Sequence, residues 1–117
     1  MAARSLMTPI ADVSYETALD LLADGAYLLD VRTDDEWNVG HFPSAHHLEL
    51  ALIPDSFDTL PDDVLIVCVC RSGGRSRRAA EFLAERGFET VNAEGGMLAW
   101  ADAGCALVGD SDEPAIS

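Results

Sequence analysis

The chain has 117 residues, 49% of them apolar, and a formal net charge of −14. That length fits one domain with a sizeable core, and no apolar run approaches the roughly 18 uncharged residues of a membrane-spanning helix. So acidic an average surface also argues against nucleic acid or an anionic membrane as a partner.

The opening MAARSLMTPIADVS meets Pro9 and Asp12 before any apolar stretch of secretory length, so no cleaved leader is expected and the cytoplasm is the expected compartment. A single ordered unit is expected from about residue 8 to 108, followed by an acidic tail, GDSDEPAIS, over about 109–117 whose polarity and proline predict no structure. Ser14 can cap a helix through about Ala23, with Ala18, Leu19, Leu21 and Leu22 on its apolar face and Gly25 at its end. AYLLDV then reads as a short strand closing at Asp30, DDEWNVG as a brief helix ended by Gly40, and SAHHLEL as a short extended segment. Leu50 to Leu60 reads as either helix or loop, because Pro54 interrupts it.

VLIVCV is the clearest strand, β-branched and apolar on both faces, as a central parallel strand covered by helices on two sides must be. After SGG an amphipathic helix over 75–86 turns Ala79, Ala80, Phe82 and Leu83 inward and sets Arg77 beside Glu81 outside, with Gly87 stopping it. FETVNA supplies another strand and EGGMLAWADAG a last helix. Short strands alternating with helices predict an α/β domain with a mainly parallel sheet.

Charge is distributed unevenly along these elements. Every basic residue is an arginine, and Arg71, Arg75, Arg77 and Arg78 fall within eight positions that hold no acid. The acidity elsewhere, with lysine absent, fits a high-salt surface or a codon bias, which one sequence does not separate. The cationic window opens directly behind Cys70, at the carboxyl end of the central strand, where ligand crevices of parallel sheets lie. Gly73 and Gly74 permit the backbone angles that turn successive amides inward as an anion-binding nest, the following helix adds its positive end, and Arg71 and Arg75 add fixed charge. Such surroundings lower a cysteine from its ordinary value of about 8.5 toward ionisation at neutral pH, which makes Cys70 the candidate nucleophile. An inert core thiol before an ordinary turn would not need the glycines, arginines and serine together.

The other cysteines read differently. Three thiols without an export signal do not suggest a disulfide framework. Cys68 reads as a small core residue, with a resolving thiol as the alternative; Cys105 reads as packing or surface. Cys68, Cys70, His46 and His47 make a poor metal set, because a Cys-x-Cys on a strand lacks the turn that lets ligands converge, and no metal is expected. Trp37 and Trp100 read as core or pocket wall.

LLDVRTDDEWNVGHFPSAH, CRSGGRS and GGMLAW, in that order and spacing, resemble the signatures of single-domain rhodaneses, the rhodanese-like sulfurtransferase family, along nearly the whole chain. The resemblance implies a three-layer rhodanese-like domain, a five-stranded mainly parallel sheet flanked by helices. It implies that Cys70 carries sulfur as a persulfide, taken from thiosulfate or a related small donor and passed to cyanide or a thiol, without a cofactor. The backbone from Arg71 through Ser72, Gly73, Gly74 and Arg75 to Ser76 would hold the terminal sulfur, and Arg71, with Arg75, would recruit the donor's sulfonate. Asp30, Arg32, Glu36 and His41 match signature positions and are expected to brace the loops.

Phosphatases and arsenate reductases of similar fold place five residues between cysteine and arginine, around a wider oxyanion; Arg71 to Gly74 are four, which favours a single sulfur. Val69, Gly74, His47 and Ala106 depart from the family pattern, and the first two bear on pocket shape. A second class stays open, a carrier or docking module that receives sulfur from a relay protein, although docking alone would not need the thiol.

Overall fold

The computed structural model describes residues 10–116. The expected start of the ordered unit near residue 8 and the last residue of the tail lie outside them. In chain order the elements are β1 (Asp12–Val13), α1 (Tyr15–Ala23), β2 (Tyr27–Asp30), α2 (Asp34–Val39), β3 (His46–His47), α3 (Ile53–Ser56), β4 (Ile66–Val69), α4 (Gly74–Ala84), β5 (Thr90–Ala93) and α5 (Gly96–Asp102). The segment that Pro54 left ambiguous is helical in pieces: 3₁₀ turns at Leu50–Leu52 and Phe57–Thr59 flank α3, and the proline occupies its first turn, where a missing N–H costs nothing.

The strands form one parallel sheet in the order β1-β5-β4-β2-β3. β4 lies in the middle, and both of its faces are buried. Alternation sorts its residues: Ile66, Cys68 and Cys70 pack with Ala79, Ala80 and Leu83 of α4 and Ile53 of α3, while Val67 and Val69 pack with Ala18 of α1 and Met97 and Trp100 of α5. This is the expected α/β architecture, with helices on both sides of a five-stranded sheet. Among the described residues no helix is long and apolar enough to cross a membrane.

Caps and stops come from short-range sequence. The Ser14 side chain accepts the Thr17 amide at the start of α1. Thr33 and Glu36 form a reciprocal cap at the start of α2. Gly25, at φ +105, ends the first helical segment in the left-handed region.

Two expectations are corrected. Arg77 forms its ion pair with Asp12 of β1 and not with Glu81, because the two-residue edge strand brings an acid from the far end of the chain against α4. The tail does not stand free of the domain. Val108 and His41 exchange backbone bonds as an antiparallel bridge, the Asp110 and Ala115 amides donate to the Asn38 and Val39 carbonyls, and Ile116 packs on the Trp100 side of the core. The last carbonyls of a helix are left without partners by its own geometry, and the tail supplies them for α2. At Gly40 a β-carbon would collide with the Ala115 carbonyl, so the approach depends on a residue without one.

Candidate active site

Cys70 comes directly after the last residue of β4, and the loop it opens is held from behind. The Met97 and Leu98 amides at the start of α5 donate to the Cys70 and Arg71 carbonyls at 2.8 and 3.1 Å. Gly96 makes this possible: it sits at φ +57, and a β-carbon there would lie 2.5 Å from both carbonyl oxygens. The second glycine of GGMLAW thus serves the cysteine loop, while the first, Gly95, caps its own helix and accepts the Ala99 amide. With its carbonyls pinned outward, the loop turns its next amides toward the sulfur.

The Gly73 amide donates to Cys70 Sγ at 3.1 Å, and Ser76 Oγ stands at 3.3 Å. Gly73 has φ +121 and needs to be glycine. Gly74 does not: it begins α4 with an ordinary φ and open space before it. Burial is the largest single influence on the Cys70 thiol and pushes it up, but the Ser76 hydroxyl and the Ser76, Gly73 and Ser72 amides together outweigh it. The net result lies below the ordinary cysteine value. Cys68, two residues back on the same face, is fully buried and is pushed up to about 12 by burial and then by its charged neighbour Cys70. It stays a protonated core thiol. Cys105 is half-buried near the end of the last helix.

The arginines divide. Arg71 is exposed at the rim of the loop. Arg75 does not face the sulfur as a free cation, because both its terminal nitrogens bind Glu36, at 2.7 and 2.9 Å. The bidentate pair raises Arg75 and, through the same hydrogen bonds, holds Glu36 at about 2. Glu36 also accepts the Thr33 amide at 3.0 Å, so one carboxylate caps α2 and ties it to the head of α4.

Asp30 and Arg32 are both wholly buried and paired, with Arg32 Nη2 at 2.6 Å from Asp30 Oδ2 and 2.8 Å from the Gly40 carbonyl. His41 donates through Nδ1 to the Trp37 carbonyl at 2.8 Å and stacks on the Trp37 ring, which His47 also faces. His46 stacks instead on Tyr27. Of the residues expected to brace the loops, Asp30, Arg32, Glu36 and His41 therefore gather around α2 and its ends, and only Glu36 reaches the cysteine loop, through Arg75. Trp100 is core, against Phe42, while Trp37 is half-buried between the two histidines.

Sequence reasoning missed Asn92 and Asp12. Asn92 is 3% exposed on β5, accepts Ser76 Oγ at 2.6 Å, and donates to Asp12 Oδ1 at 2.9 Å and the Gly73 carbonyl at 3.2 Å. The available signal was a lone amide inside the apolar strand FETVNA, since a buried polar side chain must find partners.

The family model for the rhodanese-like domain matches residues 14–103. A sulfurtransferase of Allochromatium vinosum is 36% identical over 85% of this chain and 95% of its own length. The thiosulfate sulfurtransferase GlpE of Pseudomonas entomophila is 33% identical over 80% of this chain and 87% of its own. Among solved structures, a rhodanese-like domain protein from Staphylococcus aureus, 32% identical, superposes with a TM-score of 0.77 over 87% of this chain and all of that one. The chain belongs to the rhodanese-like family, and its matched relatives carry the name of sulfurtransferases.

Proposed function

We propose that this member of the rhodanese-like family transfers sulfane sulfur through a persulfide on Cys70. The Cys70 thiolate attacks the outer sulfur of thiosulfate; a new S–S bond forms, the donor's S–S bond breaks, and sulfite leaves with its electron pair. A nucleophilic acceptor, cyanide or a thiolate, then attacks the outer sulfur of the persulfide, and Cys70 leaves as the thiolate it was. No oxidant, metal or cofactor enters the balance.

The observation that carries this reading is the convergence of the Gly73 amide and the Ser76 hydroxyl on one sulfur at the end of the central strand. Those donors favour the anion at the start and end of the cycle. The backbone from Arg71 to Ser76 is the proposed cradle for the outer sulfur of the intermediate, a reading supported by the Ser72, Gly73 and Ser76 amides that already act on Cys70, and four residues between Cys70 and Arg75 suit a cup for one atom rather than for a tetrahedral oxyanion. Arg71 at the rim suits the sulfonate of an approaching donor, whereas Arg75, tied to Glu36, serves as a strut. Thiosulfate as donor is supported by the GlpE relative.

Incubation with thiosulfate is expected to add the mass of one sulfur atom to the peptide containing Cys70 and to release sulfite, and cyanide is expected to remove that mass as thiocyanate. Cys70→Ser should show neither. A protein that takes up no sulfur from thiosulfate, organic persulfides or polysulfide would instead be a docking module.

A further inference from the structure

A serine hydroxyl has one proton to donate, and three acceptors surround that of Ser76: Asn92 Oδ1 at 2.6 Å, Cys70 Sγ at 3.3 Å and the Gly73 carbonyl at 3.3 Å. The proton serves one of them at a time. Asn92 is not free to turn its amide over, because Nδ2 faces two acceptors, Asp12 Oδ1 and the Gly73 carbonyl, that Oδ1 could not satisfy. Buried Oδ1 must therefore face Ser76, its one donor among the described residues. Asp12 is anchored in turn. The Asn92 amide first, and then the Arg77 guanidinium, hold its carboxyl below the usual range, so it remains an acceptor. A chain of polar contacts thus runs from Arg77 at the surface through Asp12, Asn92 and Ser76 to Cys70.

We propose that Asn92 is a positioning residue for Cys70: oriented by Asp12, it holds the Ser76 proton away from the sulfur in the thiol form and yields it when the sulfur becomes an anion. In the thiol form the S–H donates to Ser76 Oγ, whose own proton rests on Asn92 Oδ1. When the thiol proton is lost to solvent, the hydroxyl turns about its Cβ–Oγ bond and donates to Sγ, leaving Oδ1 without a donor. Serine never ionises in this sequence; it only turns. Asn92 and the sulfur anion compete for one proton, and that competition sets how readily the sulfur ionises. Once the sulfur is the uncharged inner atom of a persulfide, the hydroxyl returns to Asn92.

The inference rests on Cys70 being the reactive thiol, but not on what it transfers. The other charged or titratable groups around the sulfur are Cys68 on β4, Arg71 in the loop, Arg75 on α4 with Glu36 on α2, Asp30 with Arg32 at the end of β2, and Asp12 with Arg77 behind Asn92. Asn92→Leu changes none of these charges.

The test is the pH profile of Cys70 alkylation by iodoacetamide, read by peptide mass spectrometry so that Cys105 does not contribute. Ser76→Ala should move the profile up by about one pH unit, the size of one lost charge-assisted hydrogen bond. Asn92→Leu, of similar shape but without a competing acceptor, should move it down by roughly half a unit when Ser76 is present and leave it in place when combined with Ser76→Ala. Equal shifts in both backgrounds would show that Asn92 acts only on loop geometry, and no shift in the single variant would show no competition; either overturns the proposal. Should Asn92→Leu fail to fold, Asp12→Ala at the exposed edge replaces it. An unanchored amide can offer Nδ2 to Ser76 and turn the hydroxyl toward sulfur, so the downward shift must be larger with Ser76 than without it; equal shifts overturn the proposal here too. Sulfur transfer is scored separately: shifted profiles without transfer remove the proposed function and keep this inference, and normal transfer with unmoved profiles does the reverse.

Discussion

Cys68 on β4 and Cys70 just past its end lie two residues apart and pack into the same side of the core, and their surroundings separate them. Cys68 has only core around it and is pushed up to about 12, while Cys70, hardly more exposed, falls below the ordinary value because the chain past the end of the sheet turns its amides and a hydroxyl toward it. Within the sheet a strand's N–H groups are taken by its neighbours; at its end they become available to a ligand. The difference in ionisation comes from where the hydrogen-bond ladder stops, rather than from burial or from the residue type.

The largest effect that can break this contrast is on turnover. Cys68→Ala should retain most sulfur transfer, within roughly threefold, and cost about 1 kcal/mol of stability for a small buried side chain. Cys70→Ala should lower transfer by roughly a thousandfold or more, because in the proposed reaction Cys70 forms the covalent intermediate and such a group has no substitute. If the Cys68 variant folds, as its thermal transition would report, and still loses transfer to the same degree, Cys68 takes part in the reaction and the two thiols are not separate in role.

Next in size is the loop itself, where two adjacent glycines are unequal. Gly73→Ala forces a β-carbon onto a φ of +121, costing about 1–3 kcal/mol or moving the amide that meets Cys70, and should reduce transfer by roughly ten- to a hundredfold. Gly74→Ala meets open space at the first position of α4 and should leave transfer nearly unchanged while stabilising the fold by up to about 1 kcal/mol. Denaturant unfolding and steady-state rates on both variants decide it. Comparable rate losses at the two positions would mean that loop stiffness, not the aim of one amide, distinguishes Cys70 from Cys68.

The inequality of these glycines also marks what a sequence can and cannot convey. β4, the helix after SGG and the cysteine between them are visible because each is a local pattern: a β-branched run, a helical period, and a break at glycine. Asn92 and Asp12 were not visible, although they complete the polar surroundings of Ser76, because their partners lie 16 and 80 residues away along the chain. β1 escaped for the same reason, since two residues carry no period and become a strand only by pairing with β5. Arg75 was read as a free charge near the thiol because its partner, Glu36, comes from another helix. The tail was misread through composition: Asp110 and Ala115 contribute backbone amides to α2, and side-chain polarity says nothing about those.

The smallest expected effect concerns charge, the one influence common to the whole lip of the sheet. Arg75 is a strut if Glu36 neutralises it, and the Glu36→Gln variant tests this in two readouts. Glu36 sits at about 2 in the folded protein against an ordinary value of 4.5, so its contribution to stability is present above about 4.5 and is lost as pH falls toward 2. The wild type should therefore exceed the variant by about 1 kcal/mol at pH 7, by less as the pH drops below 4.5, and by nearly nothing near pH 2, as denaturant curves at several pH values would show. Over the same series the Cys70 alkylation profile should move down by no more than a few tenths of a pH unit, since freeing Arg75 adds a charge at the lip but no donor to the sulfur. A shift of a full unit would mean that the cation and not the hydrogen-bond donors separates Cys70 from Cys68.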